Sequence, residues 1–476
     1  MEIHADFALN PRSVEEFARV LVPEALTAVL QVTTEERDGE IRVGLRAGGR
    51  EAAYSWRALG DPADEQKTAM VKTLLLRLYG KSLSWGSLMG VRPTKVLRRY
   101  WEKGFTFSET REIFRAFYDV SPEKTDLLHQ VLKRELALLN RDAVNMYIGI
   151  PYCRTRCVYC SFASYEIGGG VGRYYRDFLE SLHREIDAAG AFLKKHHFTL
   201  ESLYIGGGTP SILEESDLEA LLGQIEKSVP LENLLEYTFE AGREDSLTRE
   251  KLALMKVRGV RRISLNPQSF NEETLRRINR PFDRRHFDQM YEAAKALGFL
   301  LNMDIIIGLP GETTEQVLFT LKELKKYDPD NLTIHSLAFK RHSRLFFGEK
   351  GRIPLDKDRI SDEIARLTAE MDLMPYYLYR QKNLMEWGEN VGYAKEGLES
   401  RFNVEMIEEN QVTVGLGGGA VTKLITKDSG GRDVVKRLIN PKEPALYIRE
   451  LDERLAEKLE KLRQWKAATG STRGFE

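Results

Sequence analysis

From Met146 onward, short apolar runs alternate with longer segments whose apolar residues recur at helical spacing, a pattern that predicts parallel strands joined by crossover helices. The strand candidates are MYIGI (146–150), SLYIGG (202–207), EYTFEA (236–241), RISLNP (262–267), LNMDIIIG (301–308) and NLTIHSL (331–337). Between them, YYRDFLESLHREIDAAGAFLKK, SDLEALLGQIEKS, TREKLALMKVRG, FDQMYEAAKALG and TEQVLFTLKELKKY read as helices. Right-handed crossovers curl such a chain into a barrel or part of one, with ligands at the carboxyl ends of the strands. The expected fold class is therefore α/β, a partial barrel of six strand–helix units.

The flanks read differently. Residues 1–140 form an expected accessory domain, α+β in character: weak alternation around EIRVGLRAGG suggests a small mixed unit, and 62–140 is mainly helix-patterned. The barrel is expected over 141–340. A mainly helical carboxy-terminal region, 341–476, is expected to cover the substrate; it carries a glycine-rich TVGLGGGAVT (413–422) and a polar amphipathic helix over 441–467.

Composition changes this picture little. Seventy-one lysines and arginines against 72 aspartates and glutamates give no electrostatic reason to expect nucleic acid. No 18-residue apolar segment or secretory leader is visible, so a cytoplasmic protein without a membrane partner is expected.

The candidate chemistry lies in MYIGIPYCRTRCVYCSF, where Cys153, Cys157 and Cys160 are all the cysteines of the 476-residue chain. Their C-x3-C-x2-C spacing sits directly after a predicted strand. Three thiolates on a cubane iron–sulfur cluster leave one iron open for a non-protein ligand. A structural zinc site closes four positions, and His335 or His342 would have to complete a Cys3His set. Glu240 ends an apolar strand, and a buried carboxylate there demands a partner, either a cationic cofactor or an ordinary salt bridge. GGGTP (206–210) suits close backbone approach to a ligand, or a plain turn before a helix.

The cysteine spacing, with Tyr159 before the third cysteine, resembles the radical S-adenosylmethionine (SAM) superfamily, whose open iron is chelated by SAM. A closer resemblance, over about 145–425, is to the oxygen-independent coproporphyrinogen III dehydrogenase family, through YIGIPYCRTRCVYC, YIGGGTPSIL, FEA, NPQSFNEETLRRINR, MDIIIGLPGET and GLGGGAVT. It implies a radical SAM partial barrel, a [4Fe-4S] cluster on Cys153, Cys157 and Cys160, and one or two SAM molecules. The first SAM is implied at Tyr147, Gly207, Glu240 and Val421, with Tyr147 and Glu240 also catalytic. The second is implied at Tyr159, Gly208, Thr209, Gln268, Arg280, Asp304 and Ala338. Residue by residue, other readings stay open: Gln268 as a helix cap, Arg280 paired with a carboxylate, Asp304 as a satisfied core acid.

The implied reaction is oxidative decarboxylation of coproporphyrinogen III propionates to vinyl groups, giving protoporphyrinogen IX, with an electron donor such as flavodoxin or ferredoxin. Residues 1–140, GVRPTK and YRQKN resemble a coproporphyrinogen-dehydrogenase-like branch of the family. Arg92, Lys95, Arg380 and Lys382 are candidates for binding the carboxylates of a tetrapyrrole substrate, or are solvated cations. The sequence departs from the dehydrogenases at Phe162, where they have a fourth cysteine, and at Gly149, where they have histidine. Rivals are a radical SAM methylase or cyclopropanase and a haem chaperone. The chaperone branch also lacks the fourth cysteine, but Glu389 stands where its haem-binding histidine would be.

Overall fold

In the computed structural model, which describes residues 1–59, 63–90, 92–337, 353–380, 389–429 and 432–470, the chain divides into two compact units, Met1–Lys133 and Arg134–Glu476. In the first, β1 (Glu2–Ala5) lies parallel to β2 (Val29–Arg37), and β3 (Glu40–Ala47) and β4 (Arg50–Arg57) follow antiparallel. Two-residue turns join these hairpins: Asp38-Gly39 and Gly48-Gly49 all have positive φ, as a turn matching strand twist requires. Helix α1 (Pro11–Leu21) connects β1 to β2, and α2 (Ala63–Leu78), α3 (Pro93–Glu102), α4 (Phe107–Tyr118) and α5 (Pro122–Leu138) follow. Alternate residues Leu30, Val32, Ile41, Val43 and Leu45 are buried, so one sheet face supplies core.

The second unit begins with β5 (Val144–Ile150) and a short parallel pair, β6 (Tyr152–Cys153) and β7 (Tyr165–Glu166). Then come α6 (Tyr175–Lys195), β8 (Leu200–Gly207), α7 (Glu215–Ser228), β9 (Glu236–Gly242), α8 (Arg249–Val257), β10 (Arg262–Leu265), α9 (Glu272–Arg277), α10 (Arg284–Ala296), β11 (Leu300–Ile307), α11 (Thr314–Leu324) and β12 (Asn331–Ser336). The remainder is α12 (Lys357–Glu370), β13 (Met374–Tyr379), β14 (Asn390–Ala394), α13 (Arg401–Glu408), β15 (Val412–Gly417), β16 (Val421–Lys427), β17 (Asp433–Ile439) and α14 (Pro444–Gly470).

One sheet holds these strands in the order β13-β14-β12-β11-β10-β9-β8-β5-β15-β16-β17. The six strands expected from the sequence are β5, β8, β9, β10, β11 and β12, consecutive and parallel. β15 extends the parallel run beside β5, and antiparallel strands finish both edges. The carboxy-terminal region thus contributes strands to the barrel sheet as well as helices.

Side chains alternate across a strand with period two, and here the two faces differ in kind. Met146, Ile148, Leu203, Ile205, Phe239, Ile263, Met303, Ile305, Leu332 and Ile334 join the helices in one continuous core. Each such fully buried side chain stabilises the fold by about 1.5–3 kcal/mol. The other face is polar: Asn145, Ser202, Thr238, Ser264, Asn302 and Thr333 are buried there. Some of these groups pair, Ser202 donating to Asn145 and Asn302 Nδ2 donating to Ser264 Oγ at 3.0 Å, while Asn145 Nδ2 and Asn302 Oδ1 are buried without a partner. Phe402 of α13 enters the same face and stacks on Tyr204 at 4.5 Å and Tyr147 at 6.1 Å. A polar, incompletely filled concave face leaves room for a ligand.

Candidate active site at the cysteine loop

The chain leaves β5 at Ile150 and is stitched on two sides as it reaches Cys153. On one side, Tyr165 N donates to Pro151 O at 2.8 Å and Ile167 N to Cys153 O at 2.9 Å. On the other, Gly208 N donates to Ile150 O at 2.7 Å and Thr209 N to Tyr152 O at 2.8 Å. The GGGTP segment therefore forms the wall against which the cysteine loop lies. A Cβ on Gly208 would stand 2.5 Å from Tyr152 O and 3.0 Å from Cys153 Sγ, so the contact requires glycine.

Cys153 and Cys157 are buried, Cys160 is half-buried, and all three are free thiols. Burial pushes the Cys153 thiol up to about 11, against the hydrogen bond it shares with Thr209 Oγ1 at 3.2 Å. A metal reverses this, because a coordinating thiol is deprotonated outright. Among the described residues no three His, Cys, Asp or Glu side chains group so as to hold a single metal ion. His335 is engaged elsewhere, its Nδ1 3.3 Å from the Tyr379 hydroxyl and its Nε2 3.8 Å from Asp304 Oδ2. A Cys3His zinc site through His335 is thus not assembled, and His342 lies outside the described residues.

The loop opens onto a cavity of about 350 Å³, within the usual range for a small-molecule site. Cys153, Cys157, Cys160, Tyr159, Gly207, Gly208, Thr209, Glu240, Gln268, Arg280 and Asp304 all line it. Tyr147 and Val421 do not: the Tyr147 ring lies beside the stacked Tyr204–Phe402 pair, 6.1 Å from each, and Val421 opens β16. Ala338 lies outside the described residues.

Glu240 accepts from Tyr204 Oη at 2.6 Å and from Gly207 N at 3.2 Å. Burial pushes its carboxyl up to about 7, outweighing the Tyr204 bond. No ion pair to Glu240 exists among the described residues, so an ordinary salt bridge does not account for it. Asp304 accepts from Asn266 Nδ2 and Asn302 Nδ2, both at 2.9 Å. Burial works against its charge, but His335 and the amide donors prevail and hold the carboxyl below its ordinary value.

Arg280 is 5% exposed and donates through Nη2 to Gly242 O at 3.0 Å and Asn266 O at 2.5 Å. Burial opposes its charge, yet facing Tyr159, Cys157 and Glu244 raise its pKa. It forms no ion pair with a carboxylate among the described residues, and its Nε is buried with no hydrogen-bond partner. Gln268 caps no helix, since Asn271 caps α9. It instead adopts φ 64°, lines the cavity and has a buried Oε1 with no hydrogen-bond partner. A thiol trio, a glycine cradle, an unpaired carboxylate and orphaned polar atoms around one cavity suit a cluster and a zwitterionic, cationic cofactor.

The remaining candidates are scattered. Arg92 and Lys95 belong to the first unit, Arg380 follows β13 half-buried, and Lys382 lies outside the described residues. Burial lowers the Arg380 pKa to about 10, leaving it charged near neutrality. Gly149 has no room for a side chain, because a Cβ would stand 2.7 Å from Gly418 O. Phe162 is 65% exposed. Tyr204, Arg243, Asn266 and Tyr379 also line this cavity, beyond the residues expected from the sequence. Their signal was a polar residue at every second position of an apolar strand, or at a strand end.

The family profile of the Radical SAM superfamily matches residues 147–324. The chain is 36% identical over 422 residues to the oxygen-independent coproporphyrinogen-III oxidase-like protein HemZ of Bacillus subtilis (strain 168), covering 85% of this chain and 83% of that protein. It is 29% identical over 279 residues to heme chaperone HemW of the same organism, covering 58% and 69%. Among solved structures, coproporphyrinogen III oxidase (HemN) from Escherichia coli superposes with a TM-score of 0.51 at 20% identity, over 70% of this chain and 74% of that one, a likeness of fold. No helix among the described residues is long and apolar enough to cross a membrane. The chain belongs to the radical SAM superfamily, within its oxygen-independent coproporphyrinogen-III oxidase-like family.

Proposed function

We propose that this protein is a radical SAM enzyme that decarboxylates two propionates of coproporphyrinogen III to vinyl groups, giving protoporphyrinogen IX. One observation carries the reading: the three cysteines and the polar residues Glu240, Gln268, Arg280 and Asp304 wall one cavity at the carboxyl ends of the parallel strands. When bound, a [4Fe-4S] cluster and SAM supply one-electron reduction and a hydrogen-abstracting radical. Cys153, Cys157 and Cys160 hold three irons. Glu240 receives the cofactor's ammonium, its charge favoured once a cation is present. Arg280 and Gln268 offer a donor and an acceptor to a cofactor's polar groups, and Asp304 offers its carboxylate to hydroxyls. Tyr147, Tyr204 and Phe402 close the floor against water. Each conversion removes one hydrogen atom and one electron from a propionate and releases carbon dioxide. The electron passes to an external acceptor. Arg380, half-buried after β13, serves a carboxylate of the substrate.

A second reading, haem binding and delivery, is favoured by Phe162 at the position of the dehydrogenases' fourth cysteine and by the relatives named as haem chaperones. Anaerobic incubation of reconstituted protein with coproporphyrinogen III, dithionite, SAM and an electron acceptor separates the two. Loss of carbon dioxide with vinyl product supports the enzyme. A stable haem complex with no turnover of the porphyrinogen overturns it.

A further inference from the structure

Thr155, between the first two cysteines, is tied on both sides. Its hydroxyl accepts from Arg243 Nη1 at 3.0 Å and donates to Asn279 O at 3.4 Å. Asn279 returns a bond from Nδ2 to Arg156 O at 3.0 Å, and holds φ at 55°, a left-handed conformation asparagine tolerates better than most residues. Arg243 is itself fixed: it is 3% exposed, and Asp245 takes its Nε at 3.1 Å and its Nη2 at 2.6 Å. The residue before Arg243 and the residue after Asn279 are also joined, Arg280 Nη2 donating to Gly242 O at 3.0 Å. The cysteine loop, the turn after β9 and the turn after α9 thus form a closed ring of hydrogen bonds.

Neither Arg243 nor Thr155 bears a cluster ligand. What they do is restrict the backbone between Cys153 and Cys157. An irregular span forfeits about 1–2 kcal/mol per residue of conformational entropy when its ends are fixed on a metal, and a span already held loses less. Arginine suits the task because its planar fork lets Asp245 occupy one edge while the third nitrogen points at Thr155; a lysine has no such fork. We propose that Arg243 is a positioning residue that, acting through Thr155 opposite Asn279, holds the Cys153–Cys157 span in ligand geometry for the cluster. The proposal rests on the cluster reading above and adds residues outside the cluster to it.

The test compares Thr155→Val, Thr155→Ser and Arg243→Gln with the unmodified protein after anaerobic reconstitution. Iron and sulfide per chain and the decay of visible cluster absorbance under a chelator are read, with thermal melting of the apo-proteins as the control for folding. Thr155→Val and Arg243→Gln are expected to lose the cluster ~10-fold faster, Thr155→Ser at the unmodified rate, with melting unchanged for Thr155→Val. Unmodified decay rates in Thr155→Val, or equal lability of Thr155→Ser and Thr155→Val, overturn the proposal. Thr155→Val carries the test alone if Arg243→Gln does not fold. Absence of iron and sulfide from the unmodified protein overturns the cluster reading instead, and the clamp with it.

Discussion

Glu240 and Tyr204 meet at 2.6 Å across neighbouring strands, the phenol donating to a carboxyl that has no cationic partner among the described residues. The folded carboxyl titrates near 7, above its ordinary 4.5, because burial disfavours the charge. The folded chain therefore binds this proton more tightly than the unfolded chain does, and stability falls as pH rises from about 4.5 to about 7. Glu240→Gln is expected to escape that fall. Relative to the unmodified apo-protein it gains up to about 3 kcal/mol on moving from acid to mildly alkaline pH. Urea denaturation at both ends of this window reads the effect, and parallel pH profiles for the two proteins contradict it.

Gly208→Ala is expected to injure the cysteine loop more than the fold. The added methyl meets Tyr152 O and Cys153 Sγ, backbone and ligand rather than a flexible side chain. Overpacking of this kind costs about 1–3 kcal/mol. The expected outcome is a chain that still melts cooperatively but takes up less iron on reconstitution. Full iron content in Gly208→Ala argues against the close seating of GGGTP on the loop.

Lys458 of α14 and Glu185 of α6 form an ion pair at 2.5 Å with both side chains 1% exposed. Glu185 also accepts from Gly417 N and Tyr447 Oη, each at 2.7 Å, so it anchors the glycine-rich turn beside β5. Lys458→Met leaves a buried carboxylate uncompensated and is expected to destabilise the chain by about 3–5 kcal/mol. The denaturation midpoint measures this, and a change below about 1 kcal/mol would mean that the pair is solvated.

The barrel was legible because its strands signal twice, by apolar residues toward the helices and by length, and the six expected strands and their crossover helices appear within a few residues of their predicted bounds. The edges were less legible. β13 reads as an aromatic run in PYYLY, and β15 ends in glycines that look like a loop; only pairing with β14 and β5 makes them strands. Short α9, six residues long, has too few turns to show a period. In the site, the cysteines announce themselves by spacing, whereas Thr155, Asn279 and Arg243 matter through hydrogen bonds between segments as far as 124 residues apart, which no local pattern encodes. Tyr147, implied at the cofactor by resemblance alone, has its ring 6.1 Å from those of Tyr204 and Phe402.

The proposed chemistry depends on three sulfurs that leave one iron for SAM. Its most direct measurement is reductive SAM cleavage by the anaerobically reconstituted protein, with Cys157→Ala in parallel. The expected result is about four irons and four sulfides per chain, with 5′-deoxyadenosine and methionine released on reduction, and neither cluster nor cleavage in the variant. An unmodified protein that carries the cluster yet leaves SAM intact, or a variant that cleaves it as well, contradicts the account.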